Sequence, residues 1–297
     1  SAVGFVKRVT KAQKVGHGGT LDPLATGVLP IALGEATKTV SFVMDGEKNY
    51  RFTMKLGAST NTDDSEGEIV ETQELRPATS AIETALSDFV GHIQQVPPSF
   101  AAVKVAGERA YDIARRGEAV ELEPRSVFVR ELTLVERPDD HHVVLDLTCG
   151  KGTYVRAIAR DLGRQLGCLG HVTALRRTKV GAFDAGDAVT PAVLERLIED
   201  EAFPQALRPL KDALSGLPSL SLTEPQAERL RAGRTIRVAP QMVTGPGVLG
   251  HGEDENKTIR AMARGDVVAL ARLSGEELSP VRVFNMRTSQ PYHQTMT

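Results

Sequence analysis

Near the start of the chain, GHGGTLDPLATG (16–27) gathers residue types that neither a helix nor a strand favours: a histidine, two adjacent glycines, and an aspartate followed by proline. Asp22 is the group able to do chemistry. A free aspartate titrates near about 3.9, so at neutral pH it is an anion fit to act as nucleophile, base or metal ligand. Pro23 disfavours the α region at Asp22 and holds its backbone extended or in a turn. Gly18 and Gly19 let the chain turn sharply and let another molecule come close. A phosphate-cradling P-loop is excluded, because the G-x-x-x-x-G-K-[ST] pattern is absent. His17 and Asp22 have no third ligand at metal spacing, and His141 and His142 stand together in a polar turn, so no metal is expected. An aspartate that merely caps a glycine-rich turn is the plain alternative, and the loop alone does not decide.

Charge adds a second candidate. The formal net charge is −2, yet residues 149–180 carry Lys151, Arg156, Arg160, Arg164, Arg176, Arg177 and Lys179 against Asp161 alone. Residues 181–215 reverse the balance, with three cations against seven carboxylates. A basic strip in a near-neutral chain suggests a localised polyanion site; a solvated helix face explains it equally well. There is no tryptophan and aromatics are 4% of residues, which argues against extended base-stacking platforms. Cys149 and Cys168 match no metal or redox spacing, pointing to a reducing, cytoplasmic setting. No apolar run approaches the roughly 18 residues of a membrane span, and the first residues do not read as a signal peptide.

These groups must be positioned by regular elements. SAVGFVKRVTKAQK (1–14) reads as a short amphipathic helix, with Val3, Val6 and Val9 on one side and Ser1 a cap. VLPIALG (28–34) reads as a buried strand. NYRFTMKLG (49–57) alternates strictly, Tyr50, Phe52, Met54 and Leu56 against Arg51, Thr53 and Lys55, as a half-buried strand does. NTDDSEGEI (61–69) reads as a polar turn, 79–90 as a helix, and 97–120 as a proline-led loop followed by a short helix bearing Arg109, Arg115 and Arg116. VVLDLTC (143–149) is another strand. After GKG a helix follows, with Val155, Ile158, Ala159, Leu162 and Leu166 apolar and Arg156, Arg160 and Arg164 at i, i+4, i+8. HVTALRRTKVGAF then reads as a turn and strand. ALSGLPSLSLT (213–223) reads as a linker. Beyond it come a short helix, a strand around TIRV, a glycine-rich excursion at 245–252, a hairpin turning at SGEE, and a tail from 288. The expected fold class is α+β: a mixed, largely antiparallel sheet with flanking helices in a catalytic domain over 1–214, then a small β-rich domain over 215–287.

HGGTLDPLATGVLPIALGEATK (17–38) closely resembles the signature of the TruB family of tRNA pseudouridine synthases. Further matches follow in order: NYRFTMKLGASTNTDDSEGEI, PPSFAAVKVAGERAYDIARRG, CGKGTYVRAIARDLG and HVTALRR. The C-terminal part resembles the RNA-binding PUA module of these proteins. Family members begin with a strand and an Asp-Lys-Pro-x-Gly turn ahead of the serine that is Ser1 here, so the resemblance implies an element before this sequence and leaves that Lys-Pro pair unassigned.

The resemblance implies conversion of uridine 55 in the TΨC arm of tRNA to pseudouridine: the glycosidic bond breaks, the uracil turns, and C5 bonds to the sugar, with no cofactor. It makes Asp22 the catalytic carboxylate and leaves open whether it attacks the sugar, attacks the base or removes a sugar proton. It makes His17 the group that fills the space of the flipped base. Tyr50 would stack on the uracil and take the C5 proton, Arg156 would pair with Asp22, and Tyr154 and Leu175 would line the uracil pocket. On position alone Tyr50 and Leu175 read equally as core. Arg160, Arg164, Arg176, Arg177 and Lys179 are expected to reach phosphates. Lys104, Arg109, Arg115 and Arg116 fall where the family closes a loop (97–120) over the RNA, and Arg229, Arg231, Arg234 and Arg237 in the PUA-like part would meet the acceptor end. The expected protein is a stand-alone, monomeric enzyme of bacterial type needing neither guide RNA nor membrane. A guide-RNA-dependent relative and a non-catalytic tRNA-folding protein are the alternatives.

Overall fold

A computed structural model describes residues 1–101, 103–105, 107–109, 111, 113, 116, 122–246 and 257–285. The Ser1 hydroxyl accepts the Gly4 N–H at 3.3 Å and caps helix α1 (Ala2–Thr10), whose three valines share a partly buried side as their spacing predicts. Three short strands then carry the glycine-rich loop: β1 (Val15–His17), β2 (Ala25–Gly27) and β3 (Ile31–Leu33). The run 28–34 was expected as one buried strand, but only Ile31–Leu33 is extended, partly exposed and paired with β1. Pro30 is the reason, since it has no N–H to give a ladder; its carbonyl instead accepts the Gly18 N–H at 2.8 Å.

Helix α2 (Val40–Asp45) leads into β4 (Lys48–Leu56), the strand that the alternation predicted. Phe52, Met54 and Leu56 are each buried to 1% exposure or less, burial that contributes about 1.5–3 kcal/mol per large apolar side chain. β5 (Ala58–Thr60) and β6 (Ile69–Thr72) form a separate hairpin. Its connection is a turn as expected, but not a solvated one: Asp63 and Asp64 are 9% and 3% exposed.

Helix α3 (Thr79–Leu86) and β7 (Gly91–Gln95) follow. In the 97–120 stretch, β8 (Lys104–Val105) pairs with β9 (Glu108–Arg109), so Arg109 sits on a strand and not on the expected helix. Gly107, at φ 93, makes the left-handed turn between them. Arg115 lies outside the described residues, as do the side chains of Lys104 and Arg109.

β10 (Arg125–Glu136), β11 (His142–Cys149), helix α4 (Val155–Gln165), β12 (Gly170–Val180) and β13 (Phe183–Asp184) complete the first layer. Seven strands make one sheet, in the order β13-β12-β4-β11-β10-β7, antiparallel throughout except that β2 joins β12 in parallel. Ile158, Ala159 and Leu162 of α4 and Ile82 and Leu86 of α3 pack on the apolar face of β4, β11 and β12. Helix α5 (Pro191–Glu199), with the Thr190 hydroxyl accepting the Val193 N–H, and the short α6 (Leu210–Ala213) lead onward.

The stretch read as a linker, 213–223, is structural. Leu214 and Leu220 are 1% exposed, and β14 (Ser219–Ser221) pairs in parallel with β16 (Lys257–Ala263). Its serines alternate with the buried leucine, which is strand patterning hidden in a linker-like composition. Helix α7 (Glu224–Arg231), β15 (Ile236–Arg237), β17 (Asp266–Ser274) and β18 (Glu277–Val283) complete a five-stranded sheet, β14-β16-β17-β18-β15. Ala227 and Leu230 of α7 cover one face. Leu270, Val267 and Phe284 pack with Leu214 and with Phe42 of α2, so this sheet rests on the first layer. Lys38 Nζ donates to the Val283 carbonyl at 2.9 Å and Glu35 accepts the Asn285 N–H at 2.9 Å across the same junction. The excursion from 247 and the tail lie outside the described residues.

Candidate active site

The loop that carries Asp22 is sewn to β12. Ala25, Thr26 and Gly27 run beside Leu175, Arg176 and Arg177, and the Val28 N–H donates to the Arg177 carbonyl at 2.9 Å. Gly27 sits at φ 98, and a Cβ there would lie 2.1 Å from the Arg177 carbonyl oxygen, so only glycine permits this approach. The turn closes where the Ala25 N–H donates to the Asp22 carbonyl at 2.9 Å.

The Asp22 side chain points to Arg156. Arg156 Nε donates to Oδ2 at 2.8 Å and Nη2 to Oδ1 at 3.0 Å, the bidentate fork that fixes a carboxylate in a plane. The guanidinium side is buried (side chain 5% exposed) while the Asp22 side chain keeps 30% of its surface open, so the anion is held from below and presented outward. Arg156 also donates to the Thr62 carbonyl at 3.0 Å and the Phe100 carbonyl at 3.1 Å, and stands 3.5 Å from Asp64 Oδ2. Its place at the first turn of α4 is set by Gln95, itself 2% exposed, which accepts the Tyr154 N–H at 2.8 Å and donates to the Tyr154 carbonyl at 3.1 Å.

Tyr50 and Leu175 meet in the same place. Leu175 is 6% exposed, and Tyr50, Leu24 and Ala25 pack partly buried against its cluster. Burial pushes the Tyr50 phenol up, with the nearby Cys149 and Asp22 adding to the effect and Arg177 opposing it. The Tyr154 phenol is pushed up by burial and by the Asp22 charge. His17, on β1, has a buried Nδ1 without a hydrogen-bond partner among the described residues. Asp22, Arg156, Tyr50, Tyr154 and Leu175 thus converge.

The basic strip divides between interior and surface. Arg160, expected to reach phosphates, is 8% exposed and fully engaged: Asp161 at 2.8 and 3.1 Å, Asp63 at 3.0 Å and the Val96 carbonyl at 2.8 Å. Arg177, with the same expectation, is 1% exposed and donates to the carbonyls of Val28, Thr20 and Gly19. Arg176, Lys179 and Arg164 are exposed. One face of α4 and alternate positions of β12 point inward, so identical residue types divide between core and surface. Asp63 and Asp64 are the residues that sequence reading missed. Burial pushes the Asp63 carboxyl up against the opposing pull of Arg160. The available signal was two adjacent acids matched by two arginines one helical turn apart.

Among the described residues no group of three His, Cys, Asp or Glu side chains could hold a metal ion, and no helix is long and apolar enough to cross a membrane.

The fold has counterparts among solved structures. It superposes on a chain of a Cbf5-Nop10-Gar1 complex with a TM-score of 0.73 at 24% identity, covering 95% of this chain and 80% of that one. A chain of an H/ACA RNP bound to a substrate RNA containing 2'-deoxyuridine gives a TM-score of 0.71 at 23% identity, with 95% and 80% covered. The family model of the TruB family pseudouridylate synthase N-terminal domain matches residues 7–155, and that of the tRNA pseudouridylate synthase B C-terminal domain matches 156–215. Among similar curated proteins, the tRNA pseudouridine synthase B of Caulobacter vibrioides is 48% identical over 287 residues, 96% of this chain and 92% of that protein. That of Ruegeria sp. (strain TM1040) is 51% identical over 285 residues, 96% and 91% covered. The chain belongs to the TruB family of pseudouridine synthases, and is therefore an isomerase.

Proposed function

We propose that this chain isomerises uridine 55 in the TΨC arm of tRNA to pseudouridine, with Asp22 as the catalytic carboxylate. The observation that carries the reading is the two-pronged grip of Arg156 on an Asp22 that remains open to the outside beside Tyr50. An arginine so placed holds a carboxylate in a fixed plane, oriented toward whatever occupies the space above it. The substrate assignment is supported by relatives near 50% identity that carry the tRNA pseudouridine synthase B name.

The target base leaves its stack at a cost of a few kcal/mol. His17, whose Nδ1 has no hydrogen-bond partner among the described residues, fills the vacated space. The uracil stacks on Tyr50 and is walled by Tyr154 and Leu175. Asp22 engages the nucleotide as an anion while the glycosidic bond breaks; once C5 has bonded to the sugar, Tyr50 takes the C5 proton. Arg176 and Lys104 contact phosphates, which position the RNA without reading its sequence. Catalysis belongs to 1–214, and 215–287 is a PUA-like unit that meets the acceptor end. The enzyme acts as a cytoplasmic monomer.

Tritium release from tRNA transcript labelled at C5 of uridine, without guide RNA, tests this reading. Release of one equivalent by the wild type and none by Asp22→Asn is expected. A transcript that binds and releases nothing in either protein would refute it, and release that appears only with a guide RNA would favour the guide-dependent alternative.

A further inference from the structure

Arg177 is a buried cation with no carboxylate partner among the described residues. Its side chain is among the largest fully buried ones, at 1% exposure, and among the described residues it forms no ion pair with a carboxylate. Nε donates to the Val28 carbonyl at 2.9 Å, Nη1 to the Thr20 carbonyl at 3.2 Å and Nη2 to the Gly19 carbonyl at 3.0 Å. These acceptors span both ends of the loop that presents Asp22. Bracing a loop requires donors but not a full charge, and an unpaired buried charge is costly. The charge calls for a second explanation.

Tyr50 supplies one. Arg177 and Tyr50 are directly opposed across the β12–β4 ladder, so their side chains emerge on the same face. The guanidinium charge pulls the facing Tyr50 phenol down, against the burial that pushes it up. The other groups facing Tyr50 are Asp22 from the loop and Cys149 from β11, both of which hold its proton on. Asp22 is itself gripped by Arg156, and Lys48, two residues back on β4, lies beside Cys149 and Arg177. Arg177 is thus the cation that opposes them.

We infer that Arg177 is a positioning residue for the isomerisation: it braces the Asp22 loop and supplies the positive charge against which the Tyr50 oxygen receives the C5 proton. The inference rests on the proposed role of Tyr50. In that step the C5–H bond of the newly formed C5-glycoside breaks, its electron pair becomes the C5=C6 double bond, and the N1=C6 π pair moves onto N1, which takes a proton from solvent. The proton passes to the phenolate oxygen, leaving a neutral phenol that returns it to solvent; nothing is oxidised or reduced. A neutral donor at 177 would keep the brace and lose the charge.

The chain has four tyrosines and no tryptophan, so phenolate ultraviolet absorbance reports tyrosine ionisation, and subtraction of Tyr50→Phe isolates one residue. Full-length Arg177→Gln and Arg177→Lys are titrated this way, with thermal melts to verify folding and C5 tritium release followed against pH. Arg177→Gln is expected to raise the Tyr50 midpoint by about one pH unit or more and to lower kcat at neutral pH about tenfold, KM changing less, with activity recovering as pH rises. Arg177→Lys should keep the midpoint near that of the wild type. An unmoved midpoint in folded Arg177→Gln, or the same rise in both variants, would overturn the inference. If Arg177→Gln does not fold, a folded Arg177→Lys whose midpoint rises by a full unit overturns it equally. Undiminished tritium release by Tyr50→Phe would instead refute the role given to Tyr50, separating the two failures.

Discussion

Arg156 grips both carboxylate oxygens of Asp22, at 2.8 and 3.0 Å, across 134 residues of sequence, and the same guanidinium holds carbonyls of the turn at Thr62 and the segment at Phe100. One side chain therefore unites three chain segments around the carboxylate. Arg156→Lys keeps the charge and discards the planar fork. It is expected to lower kcat about a hundredfold with a smaller change in KM, the signature of lost orientation. Single-turnover tritium release at saturating enzyme would check this, and a wild-type rate would contradict it.

Asp63 and Arg160 form a second pair one helical turn along, with side chains only 12% and 10% exposed. Removing one partner leaves a buried charge uncompensated, so Arg160→Met is expected to cost about 3 kcal/mol or more, seen in urea or thermal melts. Asp161 shares Arg160 and is more open, which places the effect toward the lower part of that range.

The same pair gives stability a pH dependence of definite sign. Burial raises the Asp63 carboxyl above its unfolded value. Between the two values the folded state binds more protons than the unfolded one, so this group's contribution to stability falls as pH rises through that window. Asp63→Asn should flatten that slope. Urea midpoints measured from the ordinary carboxylate range toward neutrality would display it; an unchanged slope would rule the account out.

Gly27→Ala places a Cβ 2.1 Å from the Arg177 carbonyl oxygen at φ 98. The β2–β12 pairing must open, costing about 1–3 kcal/mol in backbone strain and displacing Asp22. Loss of turnover with a lowered melting temperature is the expected pair of results.

Cys149 and Cys168 are both free and buried, and burial pushes the Cys149 thiol up to about 11. Neither should react with a thiol reagent at neutral pH in the native protein, while both should titrate in denaturant. Rapid native labelling at Cys149 would disprove this.

Much of the fold is legible in the sequence because burial on one face leaves a period. Phe52, Met54 and Leu56 alternate with Arg51, Thr53 and Lys55 because β4 is covered on one side, and Val155, Ile158, Ala159 and Leu162 recur because α4 lies on that sheet. Asp22 stood out because its loop composition suits no regular element. The environment of a charge leaves no such trace, since its partners lie far away along the chain. Arg160 meets Asp63 across 97 residues, and Arg177 meets the Asp22 loop across 149 to 158. In sequence these cations are indistinguishable from exposed Arg164 and Arg176. Their burial arises only when α4 docks on the turn at 62–64 and β2 aligns with β12. Local pattern determined which elements form and where the reactive loop lies; long-range packing decided which arginines serve the site from inside.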